Sequence, residues 1–271
     1  MLVYTFDRTL DGLLTAVFDS YALRQRPEQL VGEGGVLPLF AEEVHSVVTA
    51  DDKARRVWTG LEKLLPREAL RMIMVSWQSE LPELDTPLFN YIYKVFQQKR
   101  DISRNFADSD VLAVTNIARR VAHEQLRMKQ FIRFQKAKDG TYLGVVAPDH
   151  DVLPLVIDHF QDRFSDQPWL IYDAKRHYGY FKAVPTPSEG GECIGRKDNQ
   201  VIRITFEDEK KIPFSLDDGK LNDDVLSEND KLFQELWRTY FKAICIRERM
   251  NPRKQLSDMP RRYWKYMTEK N

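Results

Sequence analysis

Residues 147–164, APDHDVLPLVIDHFQDRF, set Asp149, His150, Asp151, Asp158, His159 and Arg163 into a run that is otherwise apolar. Histidine beside carboxylate can move a proton near neutral pH, and an arginine close by can hold a phosphate. The same residue types can ligate a metal, but the spacing argues against it. His150 and His159 are not the i, i+4 pair of a helical metal site, and Asp149 and Asp151 alternate rather than converge. Asp149, His150, His159 and Arg163 are therefore candidate acid/base or phosphate-binding residues, together with the nearby DAKRHYGY run. The competing reading is a capped core helix. Asp151 is its expected N-cap, and Pro154 falls in the first turn, where a missing N–H does no harm. At about 100° per residue, His159 and Arg163 fall within the apolar arc while Asp158, Gln161 and Asp162 lie opposite. An inward Arg163 must be paired, and Asp173, Asp149 and Glu124 are its partner options.

A second set of residues could hold a polyanion. In the helix expected over residues 109–130, Val111, Val114, Ile117, Ala118, Val121 and Met128 share one face. Arg119, His123 and Arg127 line another, flanked by Arg120, with Glu124 near enough to relieve their repulsion. Such a stripe needs an anion, either a phosphate backbone or the protein's own carboxylates. The tail RERMNPRKQLSDMPRRYWKYM interleaves Arg and Lys with Tyr263, Trp264 and Tyr266. Cations beside rings suit single-stranded or flipped nucleotides; the alternative is an arm whose rings pack on the body while its cations stay in water. The candidate nucleic-acid contacts are Arg119, Arg120, Arg127, Arg133, Lys175, Arg176, Arg261, Arg262, Tyr263, Trp264 and Lys265.

The elements that would position these residues follow from periodicity. LVYTF reads as a strand and TLDGLLTAVFDSYALRQ as a helix stopped by Pro27, with VGEGGVLP a flexible connection that lacks a phosphate-loop ending. Thr49 is expected to cap the helix that begins ADDKARRVWTGLEKLL; Pro66 opens the next, and two more run over 85–99 and 109–130. FIRFQKA and TYLGVVA form a hairpin about Asp139-Gly140, and PWLIYDAKRHYGYFKAV forms another, turning near Asp173 to Arg176. The expected class is α+β: a mainly helical block over 1–130, then an antiparallel β-β-α-β-β sheet over 131–184 with helices on one face. An insertion or extended hairpin around QVIRITF fills 185–226, and a helix with the basic aromatic tail fills 227–271, all as a single domain.

Composition narrows the classes further. The 271 residues carry 42% hydrophobic and 30% charged residues, enough for a core and too apolar for general disorder. No segment approaches a membrane span of roughly 20 apolar residues, and the opening MLVYTFDRTLDG has no secretory pattern. With only Cys193 and Cys245, neither a disulfide scaffold nor a four-thiolate metal or cluster site can form. A reduced, cytoplasmic protein is expected. No cofactor motif and no nucleophile motif stands out, so a catalytic and a non-catalytic role both stay open. The net charge of +0 conceals an acidic stretch over 207–230 and a basic one over 247–265, which suggests a directed field.

Several segments together resemble an uncharacterised bacterial family assigned to DNA metabolism. They are DKARRVWTGL, HEQLRMKQFIRFQ, DGTYLGVVAPDHDVLPLVIDHFQDRFSDQPWLIYDAKRHYGYF, LWRTYFKAI and NPRKQLSDMPRRYWKYMTE. The resemblance covers nearly the whole chain except 185–226. It implies a role in DNA repair, because genes of that family sit beside a radical-SAM protein assigned to DNA modification or repair. Some of its members are fused to a uracil-DNA glycosylase domain, which is not expected here after MPRRYWKYMTEKN. The chain has no CxxxCxxC motif, so the expected role is a companion that binds or processes single-stranded or damaged DNA, or an adaptor for the radical-SAM partner. The resemblance supplies no catalytic residues.

Overall fold

The computed structural model describes residues 1–183, 201–205, 216–217, 220–221, 226–244 and 251–270. The chain has an α+β fold, and its contacts divide it into two compact units, Met1–His123 and Glu124–Asn271.

The first unit is mainly helical but is built around a small sheet. Strand β1 (Leu2–Phe6) lies between β2 (Gln29–Gly32) and β3 (Glu43–Ser46), both parallel to it. Helix α1 (Leu10–Ala22) makes the crossover from β1 to β2; Thr9 caps it by accepting the Gly12 N–H at 2.9 Å. Helices α2 (Asp51–Leu64), α3 (Arg67–Trp77) and α4 (Asp85–Gln98) follow, and α5 (Ser109–Phe131) begins here. Tyr4, Phe6, Leu13, Leu61, Ile73, Leu88, Phe89 and Ile92 are buried in one core with Val111, Val114 and Ile117 of α5. Two expectations change. The VGEGGVLP connection starts with the last residues of β2, because Leu30 and Val31 are buried against β1. Thr49 does not cap α2: its hydroxyl donates to Asp7 at 2.9 Å, and Ala50 takes the cap position without a side-chain bond.

The second unit carries a five-stranded sheet, β4 (Phe134–Lys136), β5 (Tyr142–Val146), β6 (Trp169–Asp173), β7 (Tyr178–Lys182) and β8 (Val201–Thr205), in that spatial order. The two expected hairpins form, β4–β5 about a positive-φ Gly140 and β6–β7 about residues 174–177. The expectation of an antiparallel sheet fails at the centre, where β5 and β6 run parallel. The connection over 147–168 is long enough for a crossover, and a hairpin would need only a few residues. YLGVV and WLIYD are also nearly continuous buried runs, as strands covered on both faces are.

Within that crossover the expected helix is broken in two. A 3₁₀ turn occupies Leu153–Leu155 and α6 runs only from Ile157 to Arg163. Asp151 is not a cap; it accepts a hydrogen bond from the Tyr178 hydroxyl. Helix α7 (Glu228–Ile244), helix α8 (Pro252–Asp258) and 3₁₀ turns at Arg261–Tyr266 and Thr268–Lys270 complete the described chain, beside a two-residue ladder of β9 (Leu216–Asp217) with β10 (Lys220–Leu221). Most of the expected 185–226 insertion, and both cysteines, lie outside the described residues.

Candidate functional site

The strand arrangement brings two loops together. Val146 at the end of β5 pairs with Asp173 at the end of β6, so the Asp149–Asp151 loop and the 174–177 turn leave the sheet at the same edge. Open α/β sheets place ligands outside the carboxyl ends of parallel strands. Here that edge holds a connected network of buried and half-buried polar groups.

Its centre is Glu124, which is 2% exposed. The spacing Ile117, Val121, Glu124, Met128 puts this carboxylate on the buried stripe of α5. One oxygen accepts the N–H of Asp149 at 3.0 Å, the Tyr263 hydroxyl at 2.5 Å and Arg262 Nη2 at 3.1 Å. The other accepts the N–H of His150 at 2.8 Å. Burial pushes the Glu124 carboxyl up, but the donors from Tyr263, the two backbone amides and Arg262 outweigh it and hold it below the ordinary glutamate range. Burial and the hydrogen bond to Glu124 raise Tyr263, so that hydroxyl stays a donor.

Three cations reach Asp149. Its carboxylate takes Arg262 Nη2 at 2.9 Å, and its carbonyl takes Lys175 Nζ at 2.6 Å and Arg176 Nη2 at 2.9 Å. Arg176 also donates to the Pro148 carbonyl at 3.1 Å and to the fully buried Asp173 at 2.9 Å. Burial raises the Asp173 carboxyl more than Arg176 and the turn amides lower it. The network thus locks the backbone of residues 148–150 from both sides: its amides are held by Glu124, its carbonyls by Lys175 and Arg176.

Residues 82–269, more than two thirds of the chain, match the family model for a domain of unknown function, DUF4130. The chain belongs to the DUF4130 family. Neither a curated protein nor a solved structure matches it. The DUF4130 match encloses every candidate residue and the whole Glu124 network.

Within the DUF4130 span the candidates fare differently. Asp149 and His150 lie in the network, with His150 buried. His159 and Arg163 do not join them. The expectation of an inward Arg163 is overturned, since it is exposed with its guanidinium over the Phe164 ring at 5.8 Å; His159 is half-buried, edge-on to the buried Phe160. The 3₁₀ turn rotates each residue by more than an α-helix does, so a projection carried on from Val152 misplaces everything beyond it. The partners considered for Arg163 are taken by Arg176 and Arg262 instead. Among the described residues no group of three or more His, Cys, Asp or Glu side chains could hold a metal, and no helix is long and apolar enough to cross a membrane.

Of the cations, Arg119 and Arg120 are exposed on the part of α5 in the first unit, with Arg119 over Phe106 at 5.9 Å. In the second unit several cations serve the fold. Arg127 donates to the Ser257 carbonyl at 2.9 Å, and Arg133 pairs with the buried Glu269 carboxylate at 2.7 Å. Tyr263 is 3% exposed, so it anchors the tail and presents no stacking face. Trp264 is half-buried and donates to the Met259 carbonyl, while Arg261 and Lys265 are exposed. The residue that sequence reasoning missed as a centre is Glu124.

Proposed function

We propose that this DUF4130 protein binds single-stranded or damaged DNA as an accessory or processing factor in DNA metabolism, through the basic surface of residues 251–270. One observation carries the reading. In that segment the acidic groups are engaged internally, Glu269 by Arg133 and Asp258 by Lys254 at 3.1 Å, while Arg253, Arg261 and Lys265 are exposed. The segment is a folded cap fastened by Tyr263, Met267 and the Glu124 pair, so its cations are presented on a fixed surface. Trp264, half-buried among Arg261 and Lys270 at 5.9 and 4.8 Å, offers the ring edge and partial face that a base can use. The resemblance to a DNA-metabolism family supplies the choice of DNA over other polyanions, and a radical-SAM protein is the companion it implies.

The test is anisotropy of a labelled oligothymidylate against salt concentration. Binding weakens linearly on a log–log plot, and Arg261→Ala with Lys265→Ala flattens the slope by about 1.4 if each loses one single-strand phosphate contact. Salt-independent binding, or none at micromolar protein, overturns the reading.

A further inference from the structure

Three cations from two loops converge on one residue, and that residue is acidic. Arg262 reaches the Asp149 carboxylate, and Lys175 and Arg176 reach its carbonyl. The inner sides of these cations are already neutralised, Arg262 by buried Glu124 and Arg176 by buried Asp173. Asp149 is different, because its side chain is 55% exposed and that of Arg262 is 39% exposed. Ion pairs of this exposure are weak and readily exchanged. The Asp149 backbone is fixed by Glu124 from one side and the cations from the other, so only its side chain is free to turn away.

Both Arg262 and Lys175 are exposed and have donors left over. Among the described residues every hydrogen bond and ion pair of the Arg262 guanidinium uses Nη2, its plane lies over the Tyr263 ring at 4.7 Å, and its Nε and Nη1 have no acceptor. Lys175 Nζ is exposed with one acceptor, the Asp149 carbonyl. When the Asp149 carboxylate turns away, Nη2 and a neighbouring nitrogen of Arg262 make a guanidinium edge, and with the Lys175 ammonium they match an anion with several oxygens and more charge than a carboxylate. The position, at the carboxyl ends of the parallel pair β5 and β6, is one where α/β sheets hold ligands.

We infer that Arg262 and Lys175 form a seat for a phosphate monoester, and that the Asp149 carboxylate fills this seat until the phosphate displaces it. A monoester is near −2 at neutral pH and presents three oxygens, whereas an internal phosphodiester carries one charge and is flanked by strand on both sides. Two sources share this chemistry: a phosphorylated strand end, and a free phosphate or nucleotide. The strand-end source rests on the nucleic-acid reading above; the seat itself does not.

The experiment uses the full chain with oligothymidylate bearing a 5′-phosphate, a 3′-phosphate or only hydroxyl ends, and calorimetry with inorganic phosphate. Arg262→Ala would also disturb Glu124, so Asp149→Asn and Lys175→Met carry the test. A phosphorylated strand binds several-fold tighter than the hydroxyl-ended one. Asp149→Asn widens that preference by roughly twofold to fivefold, the reach of an exposed ion pair, and Lys175→Met narrows it. Equal binding of all strands by wild type and Asp149→Asn, or a preference lost on Asp149→Asn, overturns the seat while salt-dependent strand binding still supports the DNA reading. Inorganic phosphate that binds with this variant pattern while no strand binds supports the seat and overturns the DNA reading.

Discussion

Replacing Glu124 tests the network most directly. Its carboxylate accepts the part-buried Asp149 amide, the buried His150 amide, the buried Tyr263 hydroxyl and a half-exposed guanidinium. Glu124→Ala leaves the first three unsatisfied at about 1 kcal/mol or more each, and the exposed arginine adds at most about 1. The expected loss is about 3–5 kcal/mol, within the range for breaking a buried ionic contact. Glu124→Gln is gentler and more diagnostic. An amide oxygen in place of Oε1 keeps Asp149, Tyr263 and Arg262, and its NH₂ then faces the His150 N–H, at a cost of about 1–2 kcal/mol. Urea unfolding followed by circular dichroism gives both values, and hydrogen exchange at the Asp149 and His150 amides reports the local effect. The Glu124 carboxyl is held below its ordinary value, so its contribution is complete above the usual glutamate range of about 4–4.5 and is lost as pH falls through the folded-state value. The gap between wild type and Glu124→Gln must therefore close in acid. An alanine variant within about 0.5 kcal/mol of wild type, or a gap that widens in acid, would refute the reasoning.

Two further outcomes test the structure elsewhere. Lys182 is fully buried and donates to the carbonyls of Phe164 and Ser165 at 3.1 and 2.7 Å; Lys182→Met leaves both without that donor and is expected to cost about 1–3 kcal/mol in urea unfolding, with strand binding unchanged. Burial raises the Asp85 carboxyl to about 6 despite Arg8 at 3.4 Å. A raised carboxyl favours the fold in acid, so this contribution is present below the ordinary aspartate value and lost as pH rises toward 6. Thermal melts between about pH 4 and 7 should show a decline with a ceiling near 3 kcal/mol that Asp85→Asn removes; an equal slope in the variant would exclude Asp85 as its origin.

Much of this architecture was legible and some was not, for identifiable reasons. The long helices and both hairpins follow from apolar spacing and from Asp139-Gly140. The parallel ladder could have been read from the buried runs of β5 and β6 and the long stretch joining them. Glu124 was visible too, as a carboxylate at a core position of α5. By contrast, QLVG is too short to declare itself a strand, and EVHS is largely exposed, so only pairing with β1 identifies them. The Leu-Pro-Leu 3₁₀ turn changes helical phase without a periodic signature. Nothing in RRYWKY says which ring turns inward; the buried carboxylate decides it by accepting from Tyr263.

The Tyr263–Glu124 bond spans 139 positions and Arg133–Glu269 spans 136. Closing loops of that size costs more chain entropy than closing a local hairpin, and a fold rich in such contacts forms more slowly. The Asp149 and His150 amides lie only 25 and 26 positions from Glu124, whereas its Arg262 and Tyr263 donors come from 138 and 139 positions away. These long-range bonds fasten the segment that carries the basic surface, so the surface proposed to bind DNA is complete only when they are made.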